Sequence, residues 1–338
     1  MEKKKIFVLG NSRSGTTMMG RMLNKHSEVF TFGELHFFGP MWSKQTSEKK
    51  LSEVDAELLA EKLLARQRQG FLIFKLNGAE KQEAKEIVAS IPANERTAIE
   101  VYKKFLEFET QRHSKTHSCE QTPPNIFYIN EIIDHVPNAY VINMVRDSRD
   151  VLLSQKRKWK RKFLGAGKIP LMESLRAYLN YHPITISKLW NSAVQTGRRF
   201  ETHPKVKNVK FEDVINDPEK TLRDICSFLK LEYQSQMIQV PRVGSSSSFD
   251  ESSQIGTSKS VLGQWQKGGL NKAEIEICER ECKSNLQHFG YAISNTKANF
   301  IQRWFYYGSF PVKLGFAFLF NLRRMKNIRQ TIQKRFGI

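Results

Sequence analysis

Acidic residues are in short supply in this chain. Only 34 Asp and Glu stand against 54 Lys and Arg, a formal charge of +20, and such a balance points to an anionic partner: nucleic acid, a membrane surface or a polyanionic small molecule. Cysteine is scarcer still. Cys119, Cys226, Cys278 and Cys282 are too few and too irregularly spaced for a disulfide framework. The last two fall one turn apart on an expected helix, with no companion histidine pair, so they are expected to be structural and no metal site is expected. An uninterrupted apolar stretch long enough to span a bilayer is also missing, because Gly308, Pro311 and Lys313 break the one near the C-terminus. There is no internal repeat, and low complexity is confined to Ser245–Ser248. The start, Met1-Glu2-Lys3-Lys4-Lys5, runs into the first apolar segment too soon for a signal peptide, so the expected location is cytoplasmic. A length of 338 residues suits one large α/β domain with an appendage.

What is present is organised around Gly10-Asn11-Ser12-Arg13-Ser14-Gly15-Thr16-Thr17. It follows the apolar run Ile6–Leu9 and precedes Met18-Met19-Gly20-Arg21-Met22-Leu23, which reads as strand, tight loop and helix start. Glycines let a backbone approach an anion, and the first amides and dipole of the helix favour negative charge. The spacing is that of a nucleotide phosphate loop, except that Thr16 stands where an ATPase or GTPase has lysine. Positive charge comes instead from Arg13 within the loop.

Further along, Val29–Phe32 is β-prone and ends at Gly33-Glu34-Leu35-His36, which would bring Glu34 back over the mouth of the same site. Leucines between about Asp55 and Arg68 have helical spacing, as do Val101, Phe105 and Phe108 between about Asn94 and Arg112. Phe71–Phe74 reads equally as strand or helix start. Ala139–Val145 has the continuous apolar character of a central parallel strand. It releases Arg146-Asp147-Ser148-Arg149-Asp150 at the edge where open α/β sheets bind ligands; the alternative is that these arginines pair with Asp147 and Asp150 as a surface cluster. The basic run Lys156–Lys162 is expected to be a solvated face or a contact for an acidic ligand. A long helix is expected from about Met172 to Phe200, a third strand over Val206–Phe211, and a helix from Pro218 through Leu229. Val243–Ser260 reads as a long irregular loop, with Gly263-Gln264-Trp265 and a helix over Lys272–His288 after it.

Two anion-binding candidates at two strand ends, then Phe211-Glu212-Asp213 and a Gly-x-Trp, resemble in order the PAPS-dependent sulfotransferases, in motif style the carbohydrate and tyrosyl-protein enzymes. The resemblance implies a P-loop-NTPase-like three-layer α/β/α fold with a central, mostly parallel sheet, a sulfotransferase domain over residues 1–295 and a helical basic, apolar extension over 296–338. It implies that Asn11, Ser12, Arg13, Ser14, Gly15, Thr16 and Thr17 hold the 5′-phosphosulfate, and that Arg146 and Ser154 hold the 3′-phosphate. It implies that Glu34 acts as general base with Arg13 at the sulfuryl end, that 3′,5′-ADP leaves without a metal, and that the acceptor is a hydroxyl of a glycan, a glycolipid, a tyrosine or a small molecule. Lys259 falls where relatives carry a lysine near the 3′-phosphate, and Ser253 or its neighbours Ser247 and Ser248 where a serine approaches the transferring group. Gln121 stands where relatives have a lysine before Thr-Pro; Lys75 or Arg13 would have to cover that role.

The alternatives are a P-loop kinase or NTPase, disfavoured by Thr16 and by the lack of an evident magnesium-holding Asp on a second strand, and a nucleic-acid-binding protein, for which no aromatic-interleaved motif exists beyond Trp159. Residues 300–338 lie outside the resemblance. Their apolar and basic character reads as an interfacial membrane segment, or as a surface packed on the domain or in a dimer.

Overall fold

The computed structural model describes residues 2–71, 75–163, 170–242 and 254–321. The chain runs β1 (Lys5–Gly10), α1 (Thr16–Asn24), β2 (Val29–Phe32), α2 (Glu53–Gln69), α3 (Lys81–Ala89), α4 (Ala98–Arg112), β3 (His117–Gln121), α5 (Ile129–His135) and β4 (Ala139–Val145). It continues α6 (Ser148–Arg157), α7 (Leu171–Asn180), α8 (Pro183–Arg198), β5 (Val206–Lys210), α9 (Phe211–Asn216), α10 (Pro218–Leu229), α11 (Lys272–His288) and α12 (Phe300–Asn321).

Five parallel strands form one sheet in the order β2-β3-β1-β4-β5. Because side chains alternate across a strand, β1 feeds two cores. Phe7 and Leu9 join Phe32 and the buried faces of α2, α3 and α4; Ile6 and Val8 join Met19, Met22 and Leu23 of α1 with Leu222, Ile225 and Leu229 of α10. A third cluster, around Trp190, Val151, Cys278 and Cys282, binds α6, α8 and α11 together. This is the three-layer α/β/α arrangement, with strands added to one side of β1 first (β2, β3) and then to the other (β4, β5). Every strand delivers its C-terminal end to one edge, so the loops after β1, β2 and β4 share it.

Three sequence expectations change. The helix expected over Met172–Phe200 is two helices, because Pro183 cannot donate to a preceding turn and holds His182 extended (φ −150°, ψ 135°), so α8 restarts at Pro183. The third strand stops at Lys210, and Phe211 opens α9. The strand β3, between β1 and β2, was not anticipated: His117-Ser118-Cys119-Glu120-Gln121 is buried throughout yet mostly polar, and carries no apolar periodicity. Phe71 lies in a turn, while residues 72–74 fall outside the described residues.

The apolar C-terminal segment forms one helix despite Pro311. Its partners supply the hold that the missing hydrogen bond does not: Arg303 pairs with Glu276 at 2.9 Å, Asn271 Nδ2 donates to Tyr306 Oη at 2.8 Å, Phe310 packs against His182, and Asn321 Nδ2 donates to Asn180 Oδ1 at 2.8 Å. Among the described residues, no helix is long and apolar enough to cross a membrane.

Candidate active site

The loop after β1 is shaped by two glycines. Gly10 (φ +143°) passes so close to β4 that an added Cβ would lie 2.3 Å from the Met144 carbonyl oxygen, and at Gly15 (φ +93°) it would meet the Phe211 ring at 2.4 Å. Between them Arg13 takes φ +79°, and Ser14 N donates to the Asn11 carbonyl at 3.2 Å. Asn11, Ser14 and Thr16 are buried, Ser12, Arg13 and Gly15 are partly covered, and Thr17 is exposed. Among the described residues no side chain caps the start of α1, and none pairs with the buried Ser14 Oγ. A turn of positive-φ residues against an uncapped helix start is a cradle for an anion.

On the neighbouring strand, Arg146 follows the end of β4. Its guanidinium stacks on Phe211 at 4.4 Å, donates to the Val261 carbonyl at 2.8 Å and stands 3.5 Å from Asp150, while its buried Nε has no partner among the described residues. Trp190 Nε1 fixes the Arg146 carbonyl at 2.9 Å. Ser154, two turns into α6, accepts from Arg13 Nε at 2.8 Å. The two motifs therefore meet: Arg13 of the first reaches Ser154 of the second, and Phe211 lies between Gly15 and Arg146.

Arg149 differs from Arg146. It makes a bidentate pair with Asp147 (2.9 and 2.7 Å), donates to Glu279 and the Ala292 carbonyl, each at 2.7 Å, and stacks on Trp265 at 4.1 Å. The pairing with Asp147 foreseen as a surface cluster is thus real but buried, and Arg149 is committed to structure. Asp150 accepts the Gly263 and Trp265 amides, each at 3.0 Å, which docks the Gly-x-Trp segment onto α6. Burial raises the Asp150 carboxyl, opposed by the charge of Arg146. Glu212 accepts from the Asp147 amide at 3.0 Å and from Tyr291 Oη at 2.7 Å; burial raises its carboxyl too.

Glu34 is half-exposed beyond β2, with its Oε2 3.0 Å from His36 Nε2. Leu35 and Phe37 are fully buried, so the alternation turns Glu34 and His36 to the open side. Lys259 is exposed at the start of a short 3-10 turn, two residues before the carbonyl that Arg146 holds. Gln121 is buried against Gly20 of α1 with its Oε1 unpartnered, and Lys75 is exposed with its backbone tied to Gln69. Ser253, Ser247 and Ser248 lie outside the described residues. Of the basic run, Lys156 leaves the solvated face to pair with buried Glu274 at 2.7 Å. Among the described residues, no cluster of three or more His, Cys, Asp or Glu is placed to hold a metal. Sequence reasoning missed the wedge made by Phe211 and the clamp made by Asp150. Only their position directly after β5 and within the Arg146 motif could have signalled them.

A parallel α/β sheet with a glycine-shaped loop after β1 and the Arg146 segment after β4 beside it defines a P-loop-type fold. Residues 5–235 match the model of the Sulfotransferase family, and the chain belongs to that family. The sulfotransferase domain of the curacin biosynthetic pathway superposes with a TM-score of 0.52 at 15% identity, over 86% of this chain and 99% of that one. The sulfotransferase domain of the Synechococcus PCC 7002 olefin synthase gives 0.51 at 17%, over 86% and 97%. Both share the fold. An uncharacterized protein of Aquifex aeolicus (strain VF5) is 25% identical over 246 residues, 70% of this chain, which spans only 27% of that relative's length.

Proposed function

We propose that the protein transfers a sulfuryl group from PAPS to an acceptor hydroxyl, with 3′,5′-ADP as the second product and no metal. When bound, PAPS would supply the sulfuryl group and a leaving group whose developing charge needs cationic contacts. The observation that carries this reading is the Arg13–Ser154 hydrogen bond, which joins two anion cradles into one site for a ligand phosphorylated at two places. The orphaned Ser14 Oγ and Arg146 Nε fit such a ligand, since each is a buried polar atom awaiting a partner.

In this reading the loop amides, Ser12, Ser14, Thr16 and Thr17 bind the 5′ end, Arg146, Ser154 and Lys259 bind the 3′ end, and Arg13 serves both. Glu34 is the general base for the acceptor hydroxyl, and His36 holds its carboxylate. Positioning and cationic stabilisation supply most of the rate, as in phosphoryl transfer. The test is nucleotide-dependent melting: protection by 3′,5′-ADP without Mg²⁺ is expected, and protection by Mg-ATP alone would overturn the reading in favour of a kinase or NTPase.

The proposed acceptor is a glycan or glycolipid, with residues 300–338 in peripheral contact with a membrane. The support lies on α12. Ile301, Phe305, Val312, Phe316 and Leu319 form one stripe at helical spacing, opposite the face that docks on α7 and α11, and Ile301, Phe305 and Leu319 are 78%, 68% and 65% exposed. No acidic residue follows Glu281, whereas Arg323, Arg324, Lys326, Arg329, Lys334 and Arg335 follow the helix. Apolar stripe and basic flank together match an anionic bilayer surface.

A further inference from the structure

Glu120 is a buried carboxyl without a counter-cation among the described residues. It lies on β3, opposite Phe7 of β1 and Phe32 of β2, and among the described residues it enters no ion pair. An uncompensated carboxyl inside a sheet is costly, and an apolar residue would serve the strand better. Its contacts show where it is used. Oε1 accepts from the Leu35 amide at 3.4 Å and from Thr122 Oγ1; Oε2 accepts from Asn125 Nδ2 at 2.7 Å. Thr122 Oγ1 in turn accepts from the His36 amide at 3.4 Å. The backbone that follows Glu34 is therefore tied to the end of β3, at Leu35 by Glu120 itself and at His36 through Thr122.

The same loop is gripped from its other side by α2. Gln67 Oε1 accepts from the Gly33 amide at 2.9 Å, and Arg66 donates to the Leu35 and His36 carbonyls at 2.7 and 3.2 Å. His36 is held at φ +49°, in the left-handed region that few non-glycine residues adopt. A short loop fixed from two sides, with a strained residue, is a preorganised one.

We propose that Glu120 is a positioning residue: by holding the Leu35 amide directly and the His36 amide through Thr122, it sets Glu34 against the anion cradle after β1. This rests on the reading of Glu34 as the base. The geometry explains why β3 carries the group. It is the strand that separates β2, which feeds Glu34, from β1, which feeds Arg13, so a contact made there fixes the two loops relative to each other. Burial pushes the Glu120 carboxyl up to about 8; the hydrogen bonds from Thr122, the Leu35 amide and Asn125 oppose the rise, and the negative charge of Glu34 adds to it. Around neutral pH, Glu120 thus holds its proton and leaves the negative charge of the pair on Glu34.

The experiment compares Glu120→Ala, Glu120→Gln and Thr122→Val in the full chain. Turnover of PAPS with an acceptor, 3′,5′-ADP affinity and hydrogen exchange of peptides covering 33–37 and 10–24 are measured for each. Glu120→Ala and Thr122→Val should lower kcat by about 10²-fold, the scale of a small misplacement, with 3′,5′-ADP affinity unchanged and exchange raised over 33–37 alone. Glu120→Gln, which keeps an acceptor oxygen and mimics the protonated acid, should restore most of the rate and should lack the change near pH 8 that is expected in the wild-type kcat profile. Wild-type kcat in Glu120→Ala, or exchange raised equally over both peptides, would overturn the proposal. Were the wild type inactive with PAPS, the functional reading would fail, and exchange over 33–37 would still decide whether Glu120 sets the loop.

Discussion

Arg13 Nε donates to Ser154 Oγ across 2.8 Å, joining residues 141 positions apart in the chain. The first sits in the turn after β1 and the second on the helix after β4, so this bond ties the two segments of the proposed anion site together. A charge-assisted hydrogen bond of this kind contributes about 1.5–3 kcal/mol. Arg13→Ala should weaken 3′,5′-ADP binding by about 10- to 100-fold. Ser154→Ala should weaken it less, and the double variant should lose less than the sum, as calorimetric titration of all three would show. Strict additivity would mean that the two side chains act separately.

Gly15→Ala tests the packing that brings the loops together. The new methyl would face the Phe211 ring at 2.4 Å with a positive φ, and Phe211 in turn carries Arg146 at 4.4 Å. Overpacking of this sort costs about 1–3 kcal/mol. The expected outcome is a lower Tm together with weaker 3′,5′-ADP binding, because Phe211 cannot yield without moving Arg146.

The two arginines after β4 should separate cleanly. Arg149→Met leaves the buried Asp147 and Glu279 facing each other without their cation, a loss of about 3–5 kcal/mol. Arg146→Ala should reduce 3′,5′-ADP affinity with a much smaller change in denaturation midpoint. The residue pattern alone did not separate these roles, since both arginines sit in one Arg-Asp-Ser-Arg-Asp run; only the family resemblance singled out Arg146. The loop after β1 and the strand β4 were legible because glycine spacing and continuous apolar runs are local signals. Strand β3 was not: its five residues are buried by neighbours on both sides, and its buried Glu120 is satisfied by contacts from Leu35, Thr122 and Asn125 that no local pattern encodes. The same holds for α12, where tertiary contacts from Asn271, His182 and Asn180 outweigh the breaking tendency of Pro311.

Glu34→Gln keeps the size of the side chain and removes its basicity. Turnover should fall by about 10²- to 10⁴-fold, the usual contribution of a general base, while 3′,5′-ADP affinity stays within about twofold, since a base acting on the acceptor contributes to the rate and not to nucleotide binding. Full activity in this variant would pass the role to His36, 3.0 Å away.

Stability should carry the signature of Glu120. Its folded carboxyl titrates at about 8, above the ordinary value of 4.5, so between these values the folded state binds more protons than the unfolded one. Stability from this group is therefore fully present below the ordinary value and is lost as pH rises through about 8. Glu120→Gln has no proton to lose, so the Tm difference between wild type and variant should move in the variant's favour by several degrees from pH 5 to pH 8. A constant difference would show that Glu120 titrates normally.

The bare stripe on α12 makes a separate prediction. Replacing Phe305 and Phe316 with serine removes two large apolar side chains from the face opposite Tyr306, Lys313 and Ala317, the side that packs on the domain. The stripe residues are exposed, so the Tm should be unchanged. Binding to vesicles containing anionic lipid should fall by at least about tenfold, since burying one aromatic side chain contributes about 1.5–3 kcal/mol. Raising salt should weaken what remains, because the basic residues after Asn321 act through screened attraction. Binding that is insensitive to both the double substitution and salt would remove the membrane from the reading. Loss of a dimer in the same variant, with vesicle binding intact, would assign the stripe to a second copy of the chain.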